Sequence, residues 1–252
     1  MNGKDKRRES TGDVRSFYDN FWTAHANDEQ FENDLNRVRG DLLSDARERV
    51  RKYEEFGPLL VIGCGPGSEL GRFSDARCKI VAVDISLEGL KRARKAFPNA
   101  FFVLADAHCL PFRDDAFGVS YQSLVLMHMR AAEQIKELLR VIKQAGAAII
   151  VEPLKHHPVA ILYRLLGSKF SQTSPNYLSM SQLNSVLSKC NKSKVTAYYF
   201  LTPFLLPLLF ARLTRGILFF LLLPLRKLDL ALMRTVPRAE LVAWMALVEA
   251  KS

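Results

Sequence analysis

Leu59-Leu60-Val61-Ile62-Gly63-Cys64-Gly65-Pro66-Gly67 joins an apolar run to a turn with glycine at every second position, and Asp84 closes the next apolar run. A short apolar run that stops at glycines reads as a buried strand entering a tight turn. From Leu59 onward such runs alternate with amphipathic stretches, the pattern of parallel strands joined by crossover helices. The spacing predicts strands at about 59–63, 79–84, 100–105, 117–123 and 146–152, with helices at about 67–75, 86–96 and 131–143. The implied class is α/β, a doubly wound and mostly parallel sheet whose ligands sit at the carboxyl ends of the strands.

Upstream, Phe31, Leu35, Val38, Leu42, Ala46, Val50 and Tyr53 recur at steps of three and four, which predicts a helix over about 29–56 after another at about 13–25. Residues 1–12 read as a polar, mobile end. Downstream, helices fit about 157–167 and 179–189, and a strand at about 193–201 would pair with an antiparallel last strand at about 240–250. The expected organisation is an N-terminal helical extension over 1–56 and one α/β domain over 57–252.

The last hundred residues account for the whole formal net charge of +10: residues 153–252 hold 13 basic and 3 acidic side chains. A basic surface therefore belongs to that part. Cys64, Cys78, Cys109 and Cys190 are scattered singly, as in a reducing compartment, and the charged first 30 residues lack an apolar leader. The expected location is cytoplasmic. No His, Cys or carboxylate set has metal-ligand spacing.

A glycine turn after a strand lets backbone approach a ligand closely, and a carboxylate at the next strand end can accept bonds from both hydroxyls of a ribose. A dinucleotide site would place its third glycine where Ser68 stands, so the spacing is G-x-G-x-G instead. Asp106-Ala107 ends the third strand, where a carboxylate can accept from an exocyclic amine.

Taken in order, VIGCGPG, VAVDIS, ADAHCLPFRDDAFG, MHM, RVIKQAG and IIVEP over about 59–153 resemble the Rossmann-like class I S-adenosylmethionine-dependent methyltransferases. The resemblance is to their small-molecule branch, the ubiquinone and menaquinone C-methyltransferases and other type 11-like enzymes. It implies S-adenosyl-L-methionine as cofactor. Gly63, Cys64, Gly65 and Gly67 would line the methionine moiety, Asp84 with Ile85 the ribose, and Asp106 with Ala107 the adenine. Tyr18, in Phe17-Tyr18-Asp19, resembles the aromatic-Asp pair that closes over the cofactor. Val61 and Gly118 stand where the family usually has acidic residues, and Gln144-Ala145 where it has Pro-Gly.

Methyl transfer from a sulfonium is an in-line displacement that needs a base only if the acceptor must lose a proton. The candidates are His128, after the fourth strand, and His156 and His157, past the fifth. Cys64 and Cys109 read as small core residues.

The apolar basic stretch at about 202–238, with Arg212, Arg215, Arg226, Lys227, Arg234 and Arg238 among leucines and phenylalanines, reads as an insertion before the last strand. Two readings stand. It is a helix lying on an anionic membrane surface, giving a peripheral protein, or a cap over a lipophilic acceptor pocket. Both point to a small lipophilic acceptor. The sequence pI of 9.6 raises a nucleic-acid methyltransferase as an alternative, but the basic residues lie among aliphatic ones, and Ser123-Leu124-Val125-Leu126 replaces the Asn-Pro-Pro-aromatic run of amino-methylating enzymes. A non-catalytic, membrane-associated binding protein in the same fold is the other alternative.

Overall fold

The computed structural model describes residues 11–24, 29–165, 175–205 and 215–251. Seven strands form one sheet: β1 (Leu59–Ile62), β2 (Ile80–Asp84), β3 (Phe101–Leu104), β4 (Phe117–Ser123), β5 (Ile142–Pro153), β6 (Lys192–Tyr198) and β7 (Met245–Lys251). The order is β3-β2-β1-β4-β5-β7-β6, parallel from β3 to β5, with β7 antiparallel to both β5 and β6. The expected α/β class and the antiparallel last strand stand. The chain leaves β1 toward β2 and β3, then returns across to β4 and β5, so the sheet's switch point lies between β1 and β4.

Alternation along the strands divides the core in two. Leu59 and Val61 enter one apolar cluster and Leu60 and Ile62 the other. The first is covered by α2 (Glu29–Val38), α3 (Gly40–Arg51) and α4 (Leu87–Ala96), through Val38, Leu42, Val50, Leu90 and Ala93. The second is covered by α5 (Ala131–Val141) and α7 (Met180–Leu187), through Ile135, Leu138, Leu183 and Leu187. Each fully buried leucine or isoleucine contributes roughly 1.5–3 kcal/mol relative to exposure. α1 (Thr11–Ala24) lies against α4, α6 (Pro158–Leu165) follows β5, and α8 (Arg215–Thr235) precedes β7.

Three expected elements differ. The helix at 67–75 is only a 3-10 turn over Leu70–Phe73, because Gly67 turns at φ +100° and Gly71 weakens any longer helix through this stretch. The stretch 29–56 breaks between Val38 and Gly40, where the Arg226 guanidinium of α8 donates to the carbonyls of Arg37 and Val38. A Cβ at Gly40 would lie 2.9 Å from that guanidinium. The last strand begins at Met245, and Ala239–Val242 form a 3-10 turn after Arg238, which adopts a left-handed φ of 63°.

Candidate functional site

All three glycines of the turn adopt positive φ: Gly63 66°, Gly65 48° and Gly67 100°. Space adds a second constraint. A Cβ on Gly63 would lie 2.3 Å from Val125 Cγ2, one on Gly65 2.9 Å from the Trp22 ring, and one on Gly67 3.1 Å from Phe97. The β1 end, the turn after β4 and the N-terminal helix α1 thus meet at the switch point. Cys64 is buried inside the turn, and burial pushes its thiol well above the usual range, so it is no thiolate.

Asp84 ends β2, buried, and clamps the turn: Gly65 N donates to Oδ2 at 2.7 Å and Ser86 N to Oδ1 at 2.8 Å. Burial raises its pKa, against the lowering effect of these backbone donors. A carboxylate has about four lone-pair sites, so two bonds leave room for two ribose hydroxyls. Ile85 follows it into the α4 N-cap, where Ser86 Oγ accepts from Gly89 N and donates to Asp19 of α1 at 2.6 Å. Asp106 lies after β3, 27% exposed, beside the buried Ala107.

α1 closes this region from above. Tyr18 Oη lies 3.0 Å from His128 Nε2, Asp19 is bonded to Ser86, and Trp22 packs on Gly65 and Gly89. Trp22 Nε1, His128 Nδ1 and Ser123 Oγ are buried and have no hydrogen-bond partner among the described residues. Unused donors and acceptors beside a glycine turn suit a polar ligand laid on it. These residues fit the cofactor that the resemblance implies.

The three histidines do not form a group. His128 sits in a 3-10 turn, Leu126–His128, where burial lowers its pKa to about 4. His156 is exposed. His157 is fully buried, donates from Nε2 to the Phe200 carbonyl at 2.8 Å, and stands edge-on to the Phe200 and Phe204 rings.

Sequence reasoning missed Trp22, His108 and Glu152. Glu152 is 3% exposed at the end of β5; its Oε1 accepts from Val125 N at 2.8 Å and Leu126 N at 2.6 Å, and Oε2 has no partner among the described residues. Burial pushes its pKa up to about 7. The available signal was one carboxylate closing the long apolar run Ala147-Ala148-Ile149-Ile150-Val151.

In α8 the inward stripe is Leu222, Arg226, Asp229 and Met233. Asp229, 2% exposed, accepts from the backbone amides of Phe200, Leu201 and Thr202. Arg226 turns to α2 and α3 and is no lipid-facing cation, a correction to its place among the membrane-directed basic residues. The outward stripe is Phe220, Leu223, Lys227, Leu230 and Arg234, all exposed, Phe220 at 81%. Arg212 and the Arg215 side chain lie outside the described residues. Among the described residues, no helix is long and apolar enough to cross a membrane.

Residues 60–150 match the family described as "Methyltransferase domain". The chain is 34% identical over 113 residues to a demethylmenaquinone methyltransferase of Paenarthrobacter aurescens (strain TC1), covering 44% of each protein. It is 33% identical over 116 residues to a malonyl-[acyl-carrier protein] O-methyltransferase of Pseudescherichia vulneris, covering 45% of this chain and 44% of that one. The match thus spans less than half the length of these relatives. A solved geranyl diphosphate C-methyltransferase of Streptomyces coelicolor A3(2), in complex with S-adenosyl-L-homocysteine, superposes with a TM-score of 0.61 at 14% identity, over 89% of this chain and 84% of that one.

Proposed function

Starting from a chain that carries a methyltransferase domain in the fold of the S-adenosylmethionine-dependent methyltransferases, we propose that this protein is such an enzyme, acting on a small lipophilic acceptor. The observation that carries the reading is the triple positive-φ glycine turn at the sheet's switch point, with Asp84 and Asp106 at the ends of the next two strands. S-adenosyl-L-methionine supplies the methyl group on its sulfonium. The backbone of Gly63, Cys64, Gly65 and Gly67 runs along the methionine moiety, Asp84 and Ile85 bind the ribose, and Asp106 and Ala107 bind the adenine. Tyr18 and Trp22 on α1 exclude water from above.

Holding acceptor and methyl carbon in line supplies most of such a rate enhancement. His128, with its pKa near 4, stays neutral at physiological pH and is a weak base there. His157 is committed to the Phe200 carbonyl; His156, exposed past β5, is the other candidate proton acceptor.

Asp84→Ala should weaken binding of S-adenosylhomocysteine by roughly 1.5–3 kcal/mol, the range for hydrogen bonds to a charged group. Calorimetry on a folded variant that returned the wild-type affinity would remove Asp84 from the site. The activity itself is tested by incubating the protein with methyl-labelled cofactor and a lipid extract. Label should enter the organic phase, and its absence from every fraction refutes the enzyme reading.

The acceptor's lipophilic character is supported by the exposed apolar stripe of α8. We place the protein in the cytoplasm, attached peripherally to an anionic membrane through that stripe. Each basic residue near such a surface contributes about 1 kcal/mol, so Lys227→Gln with Arg234→Gln should lower affinity for anionic vesicles about thirtyfold. Arg226→Gln should leave it nearly unchanged. If the wild type ignores vesicles of every composition, α8 is a cap over the acceptor pocket instead.

A further inference from the structure

His108, two residues past Asp106, makes two bonds that define its chemical form. Its Nδ1 lies 2.9 Å from Asp106 Oδ1, and its Nε2 accepts from the backbone N–H of Arg130 at 3.1 Å. A nitrogen that accepts carries no proton, so neutral His108 has its proton on Nδ1 and donates it to the carboxylate. The backbone N of His108 donates to the same Oδ1 at 2.8 Å. Asp106 is therefore held on one oxygen by two donors from a single residue, and that residue is fastened to the N-cap of α5, which is Arg130.

We propose that His108 is the positioning residue for nucleobase recognition: it orients the Asp106 carboxylate toward an exocyclic amine and ties that orientation to the start of α5. The inference rests on the reading of Asp106 as the adenine-binding group. A carboxylate can only accept, so a correctly held Asp106 favours a 6-amino purine, which donates, over a 6-oxo purine, which presents a second acceptor. Without the His108 ring the carboxylate keeps the backbone donor of residue 108 but loses the imidazole donor that fixes its plane. Discrimination then falls while the glycine turn and Asp84 still hold the rest of the ligand.

The two bonds can be separated. In His108→Asn the amide nitrogen stands near the place of Nδ1 and can still donate to Asp106, but the contact with Arg130 is lost. In His108→Gln the longer side chain can offer its oxygen to Arg130 N and withdraws the ring donor from Asp106, which keeps the backbone donor of residue 108. His108→Ala removes both.

The test is calorimetric affinity for S-adenosylhomocysteine and for S-inosylhomocysteine, which differ at the 6-position, across wild type and the three variants, with unfolding midpoints recorded for each. Wild type should prefer the adenosine compound about tenfold or more, the scale of one hydrogen bond to a charged group. Asn should keep most of that preference, whereas Gln and Ala should lower it several-fold. A purely structural role would lower stability and both affinities together and leave the ratio unmoved. A wild-type preference that all three folded variants retain overturns the role of His108 alone. Failure of the wild type to bind either compound overturns the cofactor reading itself, and this inference with it.

Discussion

Replacing Gly118 by aspartate, the residue usual at this position in the class the sequence resembles, should cost more than about 3 kcal/mol, because nothing there can yield. A Cβ on Gly118 would lie 2.4 Å from Gly57 N and 2.7 Å from Phe56 C, all backbone atoms. Gly118 sits where β4 and β5 slip in register, Phe117 pairing with Ile142 and Val119 with Ala147. Gly146 closes the same stack, since its own Cβ would meet Gly118 O at 2.2 Å. Aspartate would add a buried charge to this overlap. Urea unfolding of Gly118→Ala and Gly118→Asp should show both destabilised, the aspartate more. A Gly118→Asp protein as stable as wild type would mean that the crossing of Phe56-Gly57 over β4 is not rigid. The departure from the usual aspartate thus records the path of the chain entering β1, and is no sign of a lost site carboxylate.

The second large effect concerns Glu152 and pH. Its carboxyl titrates near 7 when folded, against 4.5 for the ordinary side chain, because burial disfavours the charge more than the amides of Val125 and Leu126 favour it. The folded state therefore binds the proton more tightly. The stabilisation is fully present below the unfolded value and is lost as pH rises through 7. Glu152→Gln is neutral throughout, so its stability relative to wild type should rise by about 2.5 kcal/mol between pH 5 and pH 8. Taking the difference between the two proteins cancels other titrating groups, including Asp84, also raised by burial, and Glu137, lowered by Arg140. Urea midpoints that track each other across this range would refute the assignment. Glu152→Gln keeps one side-chain oxygen to accept from Val125 N and Leu126 N, so the turn carrying His128 and its Tyr18 contact should stay largely intact.

Much of the fold was legible in local pattern. Short apolar runs and glycine punctuation located β1 to β5 to within a few residues, since strands buried on both faces must be apolar and bounded by turns. The glycine turn and its two carboxylates were legible because close backbone approach demands glycine, wherever the rest of the chain goes. What escaped was settled by contacts between distant residues. The break after Val38 depends on a guanidinium 188 residues away, at Arg226. The fate of His157 depends on a carbonyl at Phe200, and that of Asp229 on three amides at 200–202. No periodicity reports such partners. Even the stripe of α8 could be read as apolar and basic, but which cations face outward depended on where α2 offers the carbonyls of Arg37 and Val38 and α3 the carboxylate of Asp41. Residue type and spacing thus dictated the strands, the turn and the charge excess. The pairing of buried polar groups decided which histidine, carboxylate or arginine is spent on the fold and which is left for a ligand, because an unpaired buried group is costly and its partner can come from anywhere in the chain.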